Sequence, residues 1–371
     1  MNVYEYEVGL PVSELDTPAL LVDIAAVERN IQKMANFARE AGVALRPHAK
    51  IYKGTPIFAW MQIRAGAIGL TVSKVSEAEV LASGGIRNIL IANQVVGARK
   101  IQRLVNLAAY TDIIVAVDSL QNVQALSAAA QARGVTVGVL VEVNIGNNRC
   151  GVEPLGPSLE LARMVHISPG LTFRGLMGYD GHLVMMKDFT ERDQLSEQCY
   201  RLLVETRRYI EDAGLPIEIV SGGGSVTHKP ASSVPGITEL QVGTYIFMDT
   251  TFRDLGLSNF ELSLSMLATV ISRPERPGAD DIAILDIGRK AIDLTYGFPE
   301  VKTPPGEIIS MPQEHSRLKL PGPSPEPHIG EKVELWVRDA NGTFNLHDKV
   351  YIIRNGLVEA VWENSGRGKV T

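Results

Sequence analysis

Short apolar runs recur along the first two thirds of the chain, and an amphipathic helical stretch separates each from the next. The runs fall at 43–47, 66–71, 88–92, 112–117, 136–143, 171–178, 216–221 and 238–243. Helical segments between them include KVSEAEVLASGG, SLQNVQALSAAAQARG and FTERDQLSEQCYRLLVETRRYIEDAG, the last with Leu195, Leu202, Leu203 and Ile210 on one face. Gly84, Gly134 and Gly214 stand where helices end. A helix between successive strands makes the strands parallel, and eight such units predict an α/β fold closed as a (β/α)8 TIM-type barrel. An open doubly wound sheet is the alternative. The helical pattern at 24–41 precedes the first strand and is one more than the simplest barrel needs.

Beyond about residue 255 the pattern changes. Prolines cluster at 304, 305, 312, 321, 323, 325 and 327, and the runs LSMLATVIS, DIAILDIG, KVELWVRD and DKVYIIRNGLVEAVW follow without helices between them. RNG at 354–356 is a hairpin turn between alternating strands. The division expected is a barrel over 20–255 and a C-terminal all-β domain over 256–371, joined by 1–19 with a strand at VYEYEVG.

With 371 residues, 45% hydrophobic and 21% charged, the chain can bury a large core. A net charge of −6 without a basic run argues against nucleic-acid or membrane-surface partners. No apolar stretch is long enough to span a bilayer, and the first residues lack a signal-peptide pattern. Two cysteines, Cys150 and Cys199, are too few for a disulfide framework, which points to the cytoplasm and to small hydrophobic roles for both.

Polar and glycine residues gather where the strands end: His48 and Lys50, Asn93 and Gln94, Asp118, GNNRCG at 146–151, GYDGH at 178–182, SGGGS at 221–225 and GTYIFMD at 243–249. That end of a barrel carries the active site. SGGGS follows the seventh strand, a common phosphate site, and its glycines let backbone N–H groups approach an anion. Arg46, His48 and Lys50 alternate, so the first strand aims all three one way. Desolvation and the neighbouring positive charge would lower the Lys50 amine's pKa and make it a nucleophile toward carbonyls, able to form a Schiff base. Lys53 is the rival amine. A Schiff-base lysine with a phosphate loop suggests pyridoxal 5′-phosphate (PLP).

In order, LDTPALLVD, RPHAK, KVSEAE, GNNRCGV, GYDGH, SGGGS, GTYIFMD, LDIGRKA, EHSRL and TFNLHD resemble the D-threonine aldolase and D-serine dehydratase family, fold-type III PLP enzymes with an alanine racemase-like barrel. The resemblance spans nearly the whole chain. It implies that Lys50 is the PLP lysine, that Arg149 lies near the cofactor's phenolic oxygen and that Tyr179 lies close to its pyridine nitrogen. It also implies a phosphate cradle of Ser221, Gly222, Gly223, Gly224 and Ser225 with Tyr245 nearby, and a homodimer. The family's His-x-Asp metal pair is replaced by Asp339 and Asn341. Two oxygen side chains suit Mg²⁺ or Mn²⁺ better than zinc, but D-A-N-G is first a turn sequence. Another group must then take the substrate's hydroxyl proton; His182 is the candidate, with His315 as a second and His347 of unclear role.

The activity expected is cleavage of β-hydroxy-D-amino acids to glycine and an aldehyde, through Lys50, His182 and Tyr179. The alternatives are a D-serine dehydratase-like deaminase, a racemase or epimerase, a non-catalytic PLP-binding protein, or an aldolase using Lys50 directly on a sugar phosphate.

Overall fold

A computed structural model describes residues 5–324 and 326–371, and the backbone alone of Glu5. The N-terminal strand expected over VYEYEVG begins outside the described residues, and Glu5–Glu7 form one 3-10 turn. Pro325 of the proline cluster also lies outside them. The chain divides into two compact units, one of Gln32–Gly243 with Gly368–Thr371, the other running up to Ile31 and over Thr244–Arg367.

The first unit is the barrel. The opening strand of the chain, β1 (Ala19–Asp23), lies in the other unit, and α1 (Ile24–Ala41) leads from it into the barrel. Then follow β2 (Ala44–Leu45), α2 (Pro56–Arg64), β3 (Leu70–Val72), α3 (Val75–Ser83), β4 (Ile89–Gln94) and α4 (Ala98–Leu107). They are succeeded by β5 (Ile113–Val117), α5 (Leu120–Arg133), β6 (Val137–Glu142), α6 (Gly156–Ile167), β7 (Leu171–Met177), α7 (Phe189–Asp212), β8 (Ile219–Gly222), α8 (His228–Ser233) and β9 (Glu239–Leu240). All eight strands pair in parallel in the order β2-β9-β8-β7-β6-β5-β4-β3. The gap between β2 and β3 closes through a parallel bridge at His48 and Thr71, with Thr71 N–H donating to the Pro47 carbonyl and the Thr71 hydroxyl to that of Arg46. Leu90, Ile114, Ala116, Leu140, Met177 and Ile219 fill the interior, as expected for a packed barrel rather than a pore. The doubly wound alternative is thereby set aside.

The second unit is strand-rich. Around β10 (Leu264–Ser272) it places β1, β11 (Ile282–Leu285) and β15 (Lys332–Trp336), all antiparallel to it. β12 (Glu300–Thr303) pairs with β15, and β13 (Glu307–Ser310) and β14 (Ser316–Lys319) extend the β11 edge. On the other side β1 pairs in parallel with β16 (Lys349–Arg354), which turns into β17 (Leu357–Glu363). Asn355 and Gly356 both take positive φ, 52° and 77°, so the expected hairpin forms. Leu15, Ala19, Leu21, Leu267, Tyr351, Val358 and Val361 make a core there. Two short helices interrupt the strands, α9 (Thr250–Asp254) and α10 (Ala340–Phe344).

Candidate active site at the strand ends of the barrel

β2 stops at Leu45, and Ala49–Tyr52 wind into one 3-10 turn, so Arg46, His48 and Lys50 do not continue a strand. Arg46 turns into the barrel and is buried. Its Nε and Nη2 donate to the two Glu239 carboxylate oxygens at 2.8 and 2.9 Å, and Nη1 donates to Asn88 Oδ1 at 2.6 Å. Arg46 is therefore not an unmatched cation beside Lys50, as strand alternation implied; Glu239 neutralises it. His48 is enclosed. Desolvation first, then the Lys50 and Arg149 charges, hold its imidazole well below the ordinary range, against a hydrogen bond to the Thr71 backbone. Its Nδ1 accepts the Lys50 N–H at 3.4 Å.

Lys50 is exposed at the barrel mouth. Lys53, the rival amine, is buried. Its Nζ donates to Glu77 Oε1 at 2.6 Å and to the Lys369 carbonyl at 3.1 Å, so of the two amines only Lys50 is exposed.

After β6 the loop 144–151 is folded by Asn144, whose Oδ1 accepts the N–H groups of Gly146 and Asn148 at 3.2 and 3.1 Å. This loop presents Arg149, whose guanidinium carbon lies 5.5 Å from the centre of the Tyr179 ring. Glu142 sits beneath it, buried. One Glu142 oxygen accepts Gln94 Nε2 at 2.6 Å and the other lies 3.7 Å from Arg149. Burial pushes its carboxyl up, against Gln94 and Arg149. Gln94 is one of the polar residues expected at the strand ends; Glu142 was not foreseen as a site residue. The only signal was a carboxylate inside the apolar run VGVLVEV. Cys150 and Cys199 are unpaired and half-buried, with thiols pushed up chiefly by burial, Cys199 to about 11.

Tyr179 follows β7 and packs beside the glycine turn, since a side chain built on Gly224 would lie 3.6 Å from its hydroxyl. His182 is exposed on the next turn, against Gly146 of the arginine loop. Ser221 is placed deeper than expected. Its hydroxyl donates to Glu239 Oε1 at 2.7 Å and accepts from Gln241, so it belongs to the Arg46 network inside the barrel. Gly222 and Gly223 leave no room for a Cβ, which would meet Tyr200 at 2.6 Å and Leu240 at 2.8 Å respectively. Ser225 Oγ accepts the Gly243 N–H at 3.2 Å. Tyr245 lies in the strand-rich unit, fully buried, with its ring 5.9 Å from that of Phe260.

The donor set of PLP fits these residues. An exposed amine, an arginine over a tyrosine face and a glycine turn beside that tyrosine share one face of the barrel. A metal at Asp339 and Asn341 does not fit. Asp339 caps α10, with Oδ1 accepting the Gly342 N–H at 3.1 Å, and the Asn341 side chain bonds to Asp339 itself. Among the described residues no group of three or more His, Cys, Asp and Glu could hold an ion. The D-A-N-G turn is instead a short helix. Gly342 is there for close approach, since a Cβ would lie 2.3 Å from Asp293 Oδ2. His347 donates Nε2–H to the Ala291 carbonyl at 2.7 Å, and burial holds its imidazole below the usual range; His315 is exposed on the strand-rich unit.

Residues 22–251 match the family model "Alanine racemase, N-terminal domain", and 263–353 match "Putative serine dehydratase domain". The D-threonine aldolase of Arthrobacter sp is 36% identical over 367 residues, covering 97% of this chain and 95% of that protein. The 3-hydroxy-D-aspartate aldolase of Paracoccus denitrificans (strain Pd 1222) is 33% identical, covering 97% and 94%. Among solved structures, D-threonine aldolase from Filomicrobium marinum superposes with a TM-score of 0.93 at 37% identity, covering 98% of each chain. D-threo-3-hydroxyaspartate dehydratase from Delftia sp. HT23 gives 0.86 at 28% identity, over 95% of this chain and 98% of that one.

Proposed function

The chain belongs to the alanine racemase N-terminal domain family, and from that membership we propose that it is a PLP-dependent aldehyde-lyase that cleaves β-hydroxy-D-amino acids to glycine and an aldehyde. The observation that carries this is the gathering of Lys50, Arg149, Tyr179 and Gly224 on one barrel face, in a chain alike over nearly its whole length to named aldolases.

When bound, PLP supplies an electron sink for the bond broken at the substrate's α-carbon. Lys50 Nζ would hold it covalently, on a turn that keeps the amine at the mouth. Arg149 places its charge over Tyr179 and beside buried Glu142, which holds the guanidinium to that side of the site. Tyr179, beside Gly224, would form one wall of the cofactor's site. His182 accepts the proton of the substrate's β-hydroxyl as the Cα–Cβ bond breaks and the oxygen becomes the aldehyde carbonyl. No step is assigned to Asp339, which caps α10, or to Asn341, which bonds to it.

Purified protein loaded with PLP is offered D-threonine and D-phenylserine while aldehyde is measured. Aldehyde with either supports the reading. None, from protein that holds PLP, overturns it, and ammonia with a keto acid assigns elimination, the reaction named for the dehydratase relatives. Borohydride reduction should fix the cofactor on Lys50. We further propose a cytoplasmic homodimer. The resemblance supports the dimer, and two unpaired cysteines support a reducing compartment. Among the described residues no helix is long and apolar enough to cross a membrane.

A further inference from the structure

Asp180 has no part in the chemistry above, yet its side chain is fully buried directly behind the glycine turn. Three hydroxyls converge on it. Ser196 donates to Oδ2 at 2.7 Å, and Tyr200 and Thr227 donate to Oδ1 at 2.9 and 3.2 Å. Two of these reach onward to the turn. The Gly223 N–H donates to the Tyr200 oxygen at 2.7 Å, and the Gly224 N–H donates to Thr227 Oγ1 at 3.2 Å.

The proton bookkeeping leaves one arrangement. An N–H can only donate, so the Tyr200 and Thr227 oxygens must accept from the glycines, and their own protons must go to Asp180. Burial pushes the Tyr200 phenol well above its ordinary range, so that proton stays in place. Ser196 and Tyr200 are one helical turn apart on the buried face of α7, so a long helix sets the position of the turn. Gly223 takes φ +78°, a conformation that glycine adopts without steric cost.

We infer that Asp180, Tyr200 and Thr227 form a positioning relay that holds the glycine turn in its phosphate-accepting shape. The relay engages the Gly223 and Gly224 N–H groups directly, so α7 and Thr227 together fix the backbone of the turn. The inference rests on the PLP reading and deepens it.

The test compares pyridoxal 5′-phosphate with pyridoxal, which has the same aldehyde and ring but no phosphate. Binding of each to wild type, Tyr200→Phe and Thr227→Val is followed by cofactor absorbance, with melting temperatures measured in parallel. The expected result is PLP affinity weakened about tenfold or more in the variants, the scale of one lost buried hydrogen bond, with pyridoxal affinity unchanged. Equal losses for both compounds, or none, with wild type binding PLP normally, overturn the relay and leave the PLP reading standing. Wild type that binds neither compound overturns both. Should Tyr200→Phe not fold, Thr227→Val removes the second oxygen and carries the same comparison.

Discussion

Lys50 and Lys53 stand three residues apart and meet opposite surroundings, exposed mouth and buried ion pair. Removing one partner of a buried pair destabilises strongly. Lys53→Ala should therefore lose about 3 kcal/mol of stability in denaturant titration and keep the cofactor's absorbance; Lys50→Ala should do the reverse. His228 is a second residue with a measurable consequence. Its Nδ1–H donates to the Ser225 carbonyl at 2.7 Å, and burial holds its imidazole down at about 4. Below pH 6.5 the unfolded chain takes up a proton at this histidine that the folded chain refuses until about pH 4. Stability from this group is thus complete above 6.5 and falls as pH drops toward 4, by up to about 3 kcal/mol. His228→Gln should flatten the loss of denaturant midpoint over that interval. The strand-end positions of Lys50, Arg149 and Tyr179 were legible because each lies just after an apolar run. Glu142 was not, because an inward carboxylate in an apolar strand carries no pattern of its own.

At the scale of elements, all eight barrel strands lie within or beside the apolar runs, because parallel strands buried on both faces leave continuous Val, Ile and Leu. The face of α7 was read in part, since Leu203 and Ile210 are buried as expected. Its buried residues include Arg192, Ser196 and Tyr200, while Leu195 and Leu202 are only half-buried, since the core behind the glycine turn is polar. The four-residue strands β12, β13 and β14 hide among prolines. Strand β7 carries a bulge opposite Val139 and Leu140, and there Gly175 takes φ +143° with the Ile219 carbonyl 2.0 Å from where a Cβ would sit. Gly175→Ala should weaken β7–β8 pairing, seen as faster amide exchange in those strands and a lower melting temperature. Across β2 and β9, Arg46 and Glu239 form a buried bidentate pair. Arg46→Ala leaves buried Glu239 without its ion-pair partner, and should cost about 3–5 kcal/mol in denaturant titration.

For the whole molecule, sedimentation should give twice the chain's mass at micromolar concentration; a single-chain mass under those conditions would count against the proposed dimer. The barrel with a strand-rich partner could be foretold because alternating and non-alternating regions differ along the whole sequence. What could not be foretold depends on distant side chains meeting, as Asp293 does with Gly342. Cys150 and Cys199 hold their protons firmly at neutral pH, and alkylating dyes react with the anion. The native chain is therefore nearly silent toward maleimides and iodoacetamides, and a single cysteine introduced on its surface would take a fluorophore with little background.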